Sequence, residues 1–521
     1  MISIAQTIAT LGQLQSGGHI EVGRLRELNK ALHAQQDAIA KATIGTIQQG
    51  VAFTGASGEM APMVPQSMSN TMTVLGATMK QLWLEGKLTK VDVHSTLFED
   101  VTTDSIGIPY LKGFIGEGGG GTLNQSQHSR GIVQIKMQAE RRQVTDLATF
   151  VNMLGYNAPM VDKNALANEE YLGMQALMVR HERNLWLSDS ANDDLSFDGM
   201  YKQIAKHGFT AGLPTIGASD NNYLDKRGGT VTGPELVQIL ANLAGGPTFT
   251  YPGKCVVHPR VYGVLEQLGQ DSVRHNVDAN SPRVIERFSF GAKEIWVTGP
   301  GGQVMIEAAP LMTGEQDRAS HTTNLGEAPP VISAFTVTAG GGQITVGANA
   351  ASKFVAADAG EYIYRIIAIG EYGVSAPLQV PTNAATITIA AGDVVTFDLP
   401  DTVTPGHGAG KTKVKSYILE RSTKGGAVGT SKFVWEYPVN ASGAGGTTRI
   451  IDANLHLPST APIYLMAMEP QYMYWADLLP VYRRPLPAVD TTLPFLLLKF
   501  GSPRVKAPTK QFLLDNCALS L

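Results

Sequence analysis

Apolar and polar positions alternate from Ile132 to Glu140, with Val133, Ile135, Met137 and Ala139 set against Gln134, Lys136, Gln138 and Glu140. That is the period of a strand with one apolar face. Upstream, Ser105 to Gly113 is extended in character, and between the two lie Gly116 to Gly121 and polar Thr122 to Arg130. The intervening stretch lacks the apolar residues of a core and favours a mobile connection. The pattern therefore predicts a long two-stranded arm with a flexible tip. An isolated ribbon is marginal in water, so its apolar face is expected to find cover on something else, such as another subunit.

A long helix is predicted next, from an N-cap at Asp162 to Ser188, with Gly173 its sole glycine and no proline. Ala167, Tyr171, Met174, Met178, His181 and Leu185 recur at spacings of four and three and define one apolar stripe. Glu169, Glu170, Arg180, Glu182 and Arg183 fall mostly off it. A helix of roughly 25 residues would run about 38 Å, long for a compact domain.

Leu25, Leu28, Leu32 and Ile39 mark an amphipathic helix near the start, from about Val22 to Ala42. After the long helix, Ser188 to Asp194 reads as an acidic, turn-rich loop, solvated and helix-capping rather than metal-binding. From Thr232 the texture is mixed: helices at Pro234–Leu243 and Pro259–Gln267, strands at Lys254–His258, Lys293–Thr298 and Gln303–Ala308. Between Glu327 and Pro458 almost everything reads as short strands between turns, at the spacing of a β-sandwich. Mixed texture is expected to resume afterwards. A β-rich block flanked by a different fold is an insertion, expected to fold on its own and to project.

Size and charge narrow the classes. The 521 residues suffice for two to four domains, and the formal net charge of −4 gives no global attraction to a polyanion. Cys255 and Cys517 are the sole cysteines, in no ligand spacing, which fits a reducing compartment. Met1 to Ile8 lacks the basic start of a signal peptide, and no apolar run reaches a membrane span. Synthesis in the cytosol and no membrane partner are the expectations.

Motifs of catalysis are weak or incomplete. Gly406 to Thr412 ends like a phosphate-binding loop, but Pro405 stands where the first glycine belongs and a strand follows where a helix is needed. His181-Glu182 is not a zinc motif, because Leu185 replaces the second histidine. Arg483, Arg484, Arg504 and Lys506 form a short basic group suited to salt bridges at an interface rather than to nucleic-acid reading. No catalytic, cofactor-binding or metal-ligating residue is assigned, and no enzyme activity is expected.

The order of arm, long helix, mixed domain and late return resembles the major capsid proteins of tailed bacteriophages, the Hong Kong 97-type fold. The resemblance rests on Ser105 to Asp146 as the extended E-loop hairpin, Asp162 to Ser188 as the spine helix, and Arg183 to Asp189 with Phe197-Asp198-Gly199-Met200 as its exit. Phe290 to Ile306 resembles the axial strand pair, and Leu479 to Leu486 with Phe495 to Ala518 the closing segments. It implies an α+β fold divided into an N-terminal arm (1–104), E-loop (105–150), peripheral domain with spine helix (151–198), axial domain (199–326), insertion (327–458) and closing return (459–521). Tyr362 to Ser375 resembles a strand of immunoglobulin-like and fibronectin type III domains. Tyr417 to Arg421 follows it out of the usual order, which leaves the topology open. The function implied is self-assembly into hexamers and pentamers of an icosahedral virion shell. It would enclose double-stranded DNA without sequence-specific contact, alongside scaffolding, portal or decoration proteins. An encapsulin-like compartment enclosing a cargo enzyme is the alternative. An extracellular hydrolase would need a signal peptide and acid or nucleophile pairs, and the sequence offers neither.

Overall fold

The computed structural model describes residues 81–105, 117, 125–145, 165–191, 193–210, 213–217, 222–245, 250–273, 295–313, 330–331, 344–370, 373–375, 377–380, 386–399, 402–405, 412–439, 448–487 and 491–519. The expected helix at Val22–Ala42, the arm tip from 106 to 116 and the N-cap at Asp162 lie outside them. The described chain is mixed α/β and mostly strand.

The arm is a hairpin, but its strands are shifted from those expected. Its outgoing strand is Leu97–Ser105, which pairs antiparallel with Gln127–Gln134 in the register Phe98 opposite Val133 and Val101 opposite Arg130. The pattern concealed the first strand because its inward positions are Phe98, Asp100 and Thr102, and a buried aspartate breaks the apolar alternation. The alternation predicted from Ile132 to Glu140 also changes face. Val133 is buried, but a second strand, Lys136–Thr145, begins after Ile135, and in it Met137 is 56% exposed while Gln138 and Glu140 turn inward. The inversion is tolerated because each inward polar group meets a partner on the long helix: Gln138 on His181, and Glu140 on Arg180 and its strand neighbour Arg142.

That helix spans Ala165–Leu187. His181 and Leu185 are buried as expected, but Ala167 is exposed and Tyr171 is 54% exposed. The most buried positions are Gly173, Gln175, Leu177, His181, Glu182, Leu185 and Trp186, so the inward face is wider than the predicted stripe and includes Glu182. Such breadth suits a helix packed between a sheet and other chain segments rather than against one apolar seam. Gly173 allows the helix to approach the sheet closely, since a Cβ there would come within 2.9 Å of Leu497. At the other end Gly199 fits against the helix terminus, donating its N–H to the Ser188 carbonyl at 2.7 Å. A Cβ would strike backbone atoms of Asn184, Trp186 and Ser188 within 2.9 Å. The Phe197-Asp198-Gly199-Met200 step is thus a steric requirement of the helix exit.

The helix lies on a four-stranded sheet ordered Lys90–Asp92, Met473–Pro485, Thr492–Val505, Lys136–Thr145. Leu177, Val144, Phe495 and Leu497 form the core between them. A second sheet runs Tyr223–Asp225, Phe512–Ala518, Thr460–Met466, Lys254–Val257, Gly302–Ala308, Ile295–Gly299. Helices Gly233–Gly245 and Pro259–Val273 pack on it through Leu236, Leu240, Val261 and Leu265. Residues from both sides of 327–458 interleave in this second sheet, and the described elements of the closing segment are strands and one 3-10 turn, not a resumed α/β alternation.

From 330 to 452 the described elements are strands and one 3-10 turn. One sheet is ordered Pro330–Val331, Thr402–Pro405, Thr412–Arg421, Tyr364–Gly370, Gly373–Val374, with Lys432–Pro438 also on Thr412–Arg421. A second is Ile344–Ala348, Asp393–Leu399, Thr448–Asp452, and Tyr364 packs on Phe397 between them. Arg421 and the Tyr364 hydroxyl both reach Asp452 within this core, at 2.6 and 2.8 Å. The buried core does not stop at the segment's edge. It runs from Trp186, Tyr201 and Tyr464 into Trp435 and Tyr437.

The helix phase is testable. Leu177→Ala should cost about 2–5 kcal/mol in thermal or denaturant unfolding, because it opens a cavity in a dry core. Ala167→Ser should stay within about 0.5 kcal/mol, as expected of an exposed position. Equal losses at the two sites would reverse the assigned face.

Candidate assembly surface and the buried junction beneath it

The hairpin has two unlike faces. On the inner one, Phe98 meets the Tyr474 ring edge-on at 6.0 Å, and the buried Asp100 carboxylate accepts the Tyr474 hydroxyl at 3.2 Å and Arg504 Nε at 3.3 Å. These contacts fix the hairpin's base to the sheet. On the outer face, the register sets Leu97, Glu99 and Val101 beside Ile132 and Arg130. Leu97, Val101 and Ile132 are 57, 65 and 61% exposed, with only the exposed Glu99–Arg130 pair among them.

The four-stranded sheet carries a second such surface on the side away from the long helix. The pairings Met137 to Phe500, Leu498 to Tyr482 and Leu496 to both Arg141 and Arg484 place these residues on one face. Tyr482 stacks on Phe500, and Met137, Leu479 and Tyr482 remain exposed. Arg141 and Arg484 stand among them, also exposed.

Beneath these surfaces lies a buried junction of charge. The Glu182 carboxylate, fully buried on the long helix, accepts N–H bonds from Trp83 at 3.2 Å, Leu84 at 2.7 Å and Glu85 at 2.9 Å, and the Trp186 indole N–H at 3.1 Å. Those three amides open the short helix Leu84–Lys87, which no side chain of its own caps. A distant carboxylate therefore does the work of an N-cap, and its charge suits the positive end of the helix. Burial raises the Glu182 pKa despite the four bonds.

Glu85, the third residue so held, turns its own carboxylate to His181 Nε2 at 2.9 Å, Lys499 Nζ at 2.8 Å and Lys90 Nζ at 2.8 Å. Burial opposes its ionisation, but the His181 hydrogen bond and the Lys499 charge outweigh it and hold the carboxyl well below the usual range. Burial lowers His181 to about 4 and lowers Lys499 as well. Lys499 Nζ also lies 5.1 Å from the centre of the Trp475 ring, a cation–π contact that compensates part of its lost hydration. Trp83 completes the joint, donating its indole N–H to Glu307 at 2.7 Å and packing on Trp186. One segment, residues 83–92, thus ties the long helix to both sheets.

The residues singled out from sequence for chemistry are placed as follows. His181 and Glu182 belong to this junction, bonded to Glu85 and to the amides of residues 83–85. Gly406 to Lys411 lie outside the described residues, and Thr412 begins a strand. Arg483 pairs with Glu170 of its own chain at 3.4 Å and lies over Phe495. Arg504 pairs with Asp100, and Lys506 lies over Tyr474. The acidic loop is structural: Asp189 takes Lys202 and His207, and Asp193 accepts the Leu195 N–H. Cys255 and Cys517 are buried thiols. Among the described residues no three His, Cys, Asp or Glu side chains gather to hold a metal ion, and no helix is long and apolar enough to cross a membrane. Glu85, Lys499 and the Glu182 cap escaped the sequence reading; the one available signal was Lys499 within the apolar run Phe495 to Phe500.

No family profile matches the chain. Over 79 residues it is 32% identical to the major capsid proteins of Staphylococcus phages K and S25-3. Over 71 residues it is 31% identical to a putative major capsid protein of Enterococcus phage phiEF24C. The matched stretches span 15 and 14% of this chain and only 17 and 15% of those relatives. These relatives are phage major capsid proteins, the class that the order of segments resembles. Three solved structures overlap most of the chain. They are a Synechococcus elongatus encapsulin complex (10% identity, 90% of this chain and 98% of that one, TM-score 0.38), the cyanophage P-SCSP1u capsid (11%, 89 and 96%, 0.37) and the Myoviridae phage XM1 capsid (8%, 86 and 96%, 0.36). Scores of that size do not define a shared fold.

The junction predicts a pH response of known sign. His181 has an ordinary pKa of 6.5 and about 4 in the folded chain, so the unfolded chain binds more protons between those values. Stability from this group is complete above 6.5 and is lost as pH falls toward 4. His181→Gln should flatten that part of the stability–pH curve relative to the parent. A parallel curve, merely displaced, would show that His181 is not responsible.

Proposed function

We propose that this chain is a major capsid protein of a tailed bacteriophage, with a Hong Kong 97-type fold that carries an immunoglobulin-like β-sandwich at 327–458. Its role is mechanical: copies join into hexamers and pentamers of an icosahedral shell around double-stranded DNA. The observation that carries the reading is the pair of uncovered apolar surfaces, the outer hairpin face and the sheet face opposite the long helix. A monomer gains nothing from keeping Leu97, Val101, Ile132, Met137 and Tyr482 in water. A hairpin laid on the sheet face of the next copy covers both at once, and Glu99 then comes toward Arg141 and Arg484. The contact is heterologous, which generates rings and shells rather than closed dimers. The stretch shared with phage major capsid proteins supports the same reading.

The test is Val101→Glu with Ile132→Glu in the full chain. Both side chains are exposed, so circular dichroism and the unfolding midpoint should hardly move. Sedimentation and negative-stain images should lose assembled particles. Normal particle yield from the double variant would remove the hairpin face from the interface.

A further inference from the structure

Four aromatic rings meet where the β-rich segment 330–452 joins the body. His456 stacks face to face on Trp435, with centroids 3.9 Å apart and planes 8° from parallel. Tyr201 and His207 close the group from the body side, their centroids 5.5 and 5.6 Å from His456. All four rings are buried. His456 lies in the connector that leaves the strand Thr448–Asp452 and enters Thr460–Met466. Asn454 and Ser459 bracket it with φ of 59° and 60°, left-handed turns that let the chain change direction.

We propose that this seam is an acid-sensitive joint, in which protonation of His456 against His207 loosens the β-rich segment from the body. His207 donates Nδ1–H to Asp189 at 3.2 Å, and that carboxylate is already shared with Lys202. Lys202 also pairs with Asp198, and Lys206 and Arg504 line the same cleft beside His207. The body side of the joint therefore carries three cations against Asp189 and Asp198, with Arg504 engaged by Asp100. Among the described residues the rings that meet His456 are those of Tyr201, His207 and Trp435, and its Nε2 has no hydrogen-bond partner there. A proton placed there is a buried charge without a counter-ion, next to a second imidazole. Separation of the seam hydrates it.

Burial holds His456 well below its ordinary pKa, with the His207 charge acting in the same direction. The folded joint thus binds fewer protons than the opened one, and acid favours opening. Asp515, which accepts the Tyr201 hydroxyl behind the cluster, acts with the opposite sign. Burial raises it to about 6, so its protonation on acidification does not disfavour the closed form.

Hydrogen exchange on the full-length chain at about pH 7.5 and about pH 5, corrected for the intrinsic pH dependence, tests the joint. Peptides covering 432–438 and 453–459 should exchange about tenfold or more faster in acid, because each pH unit below the ordinary imidazole value of 6.5 favours the opened, protonated form up to about tenfold. His456→Phe, which keeps a ring on Trp435 and removes the proton site, should abolish the acceleration. His456→Gln serves the same purpose if the phenylalanine misfolds. Absence of acceleration in the parent, or its persistence in the variants, would overturn the proposal.

Discussion

The interaction on which the rest of the structure depends is the carboxylate of Glu182 placed over the open end of the helix Leu84–Lys87. It fixes three consecutive amides, and through them the direction in which Trp83, Glu85 and Leu88 point. Once Glu85 is so aimed, Lys499 and His181 have a partner, and the long helix is tied to the centre of the four-stranded sheet. Replacing one member leaves another as an uncompensated buried charge, which costs more than the pair contributes when intact. Such a cluster specifies one arrangement of helix, sheet and connecting segment more than it adds to total stability. An apolar contact there would tolerate sliding; a carboxylate fitted to three N–H groups does not.

Much of the architecture was legible in the sequence. The helix Gly233–Gly245, the start of Pro259–Val273 and the strands around Cys255 and Ile306 fall within a few residues of the pattern, and nearly all described elements between 344 and 452 are the short strands it expects. What was not legible has a common cause. In the strand Leu97–Ser105, in Lys136–Thr145 and on the long helix, some polar residues face inward and some apolar ones outward. Periodicity assigns faces by the assumption that the inside is oily. Asp100, Gln138, Glu140 and Glu182 break that assumption because partners far along the chain satisfy them. No local signal could reveal those partners.

The outward apolar residues are the other half of the same error. Leu97, Val101, Ile132 and Met137 look like core when read in one chain, and on the proposed reading they are core in an assembly. A subunit that must bind copies of itself keeps part of its hydrophobic surface unspent, and its monomer then violates the pattern wherever a neighbour will sit. The inverted strand Lys136–Thr145 fits the same proposed reading. On that reading one face meets the helix and the other a partner, and the inward contact adds the polar groups Gln138, Glu140 and Arg142 to the apolar core at Val144.

Rigidity and compliance are divided accordingly. The junction of Glu85, His181, Glu182 and Lys499 is buried and densely bonded, so it holds helix, sheet and connecting segment in one arrangement. Among the described residues the hairpin is held to the body through its base, at Asp100, Phe98 and their contacts with Tyr474 and Arg504. On the proposed reading, contacts made by its outer face adopt several angles while the interior stays fixed, as quasi-equivalent positions in a shell would demand. The seam at Trp435 and His456 stands between these extremes. It is as buried as the junction, but its cohesion comes from stacked neutral rings, so its strength depends on keeping protons out. A β-rich segment fastened in that way shares the body's core at neutral pH and is the part whose attachment the surrounding solution can alter.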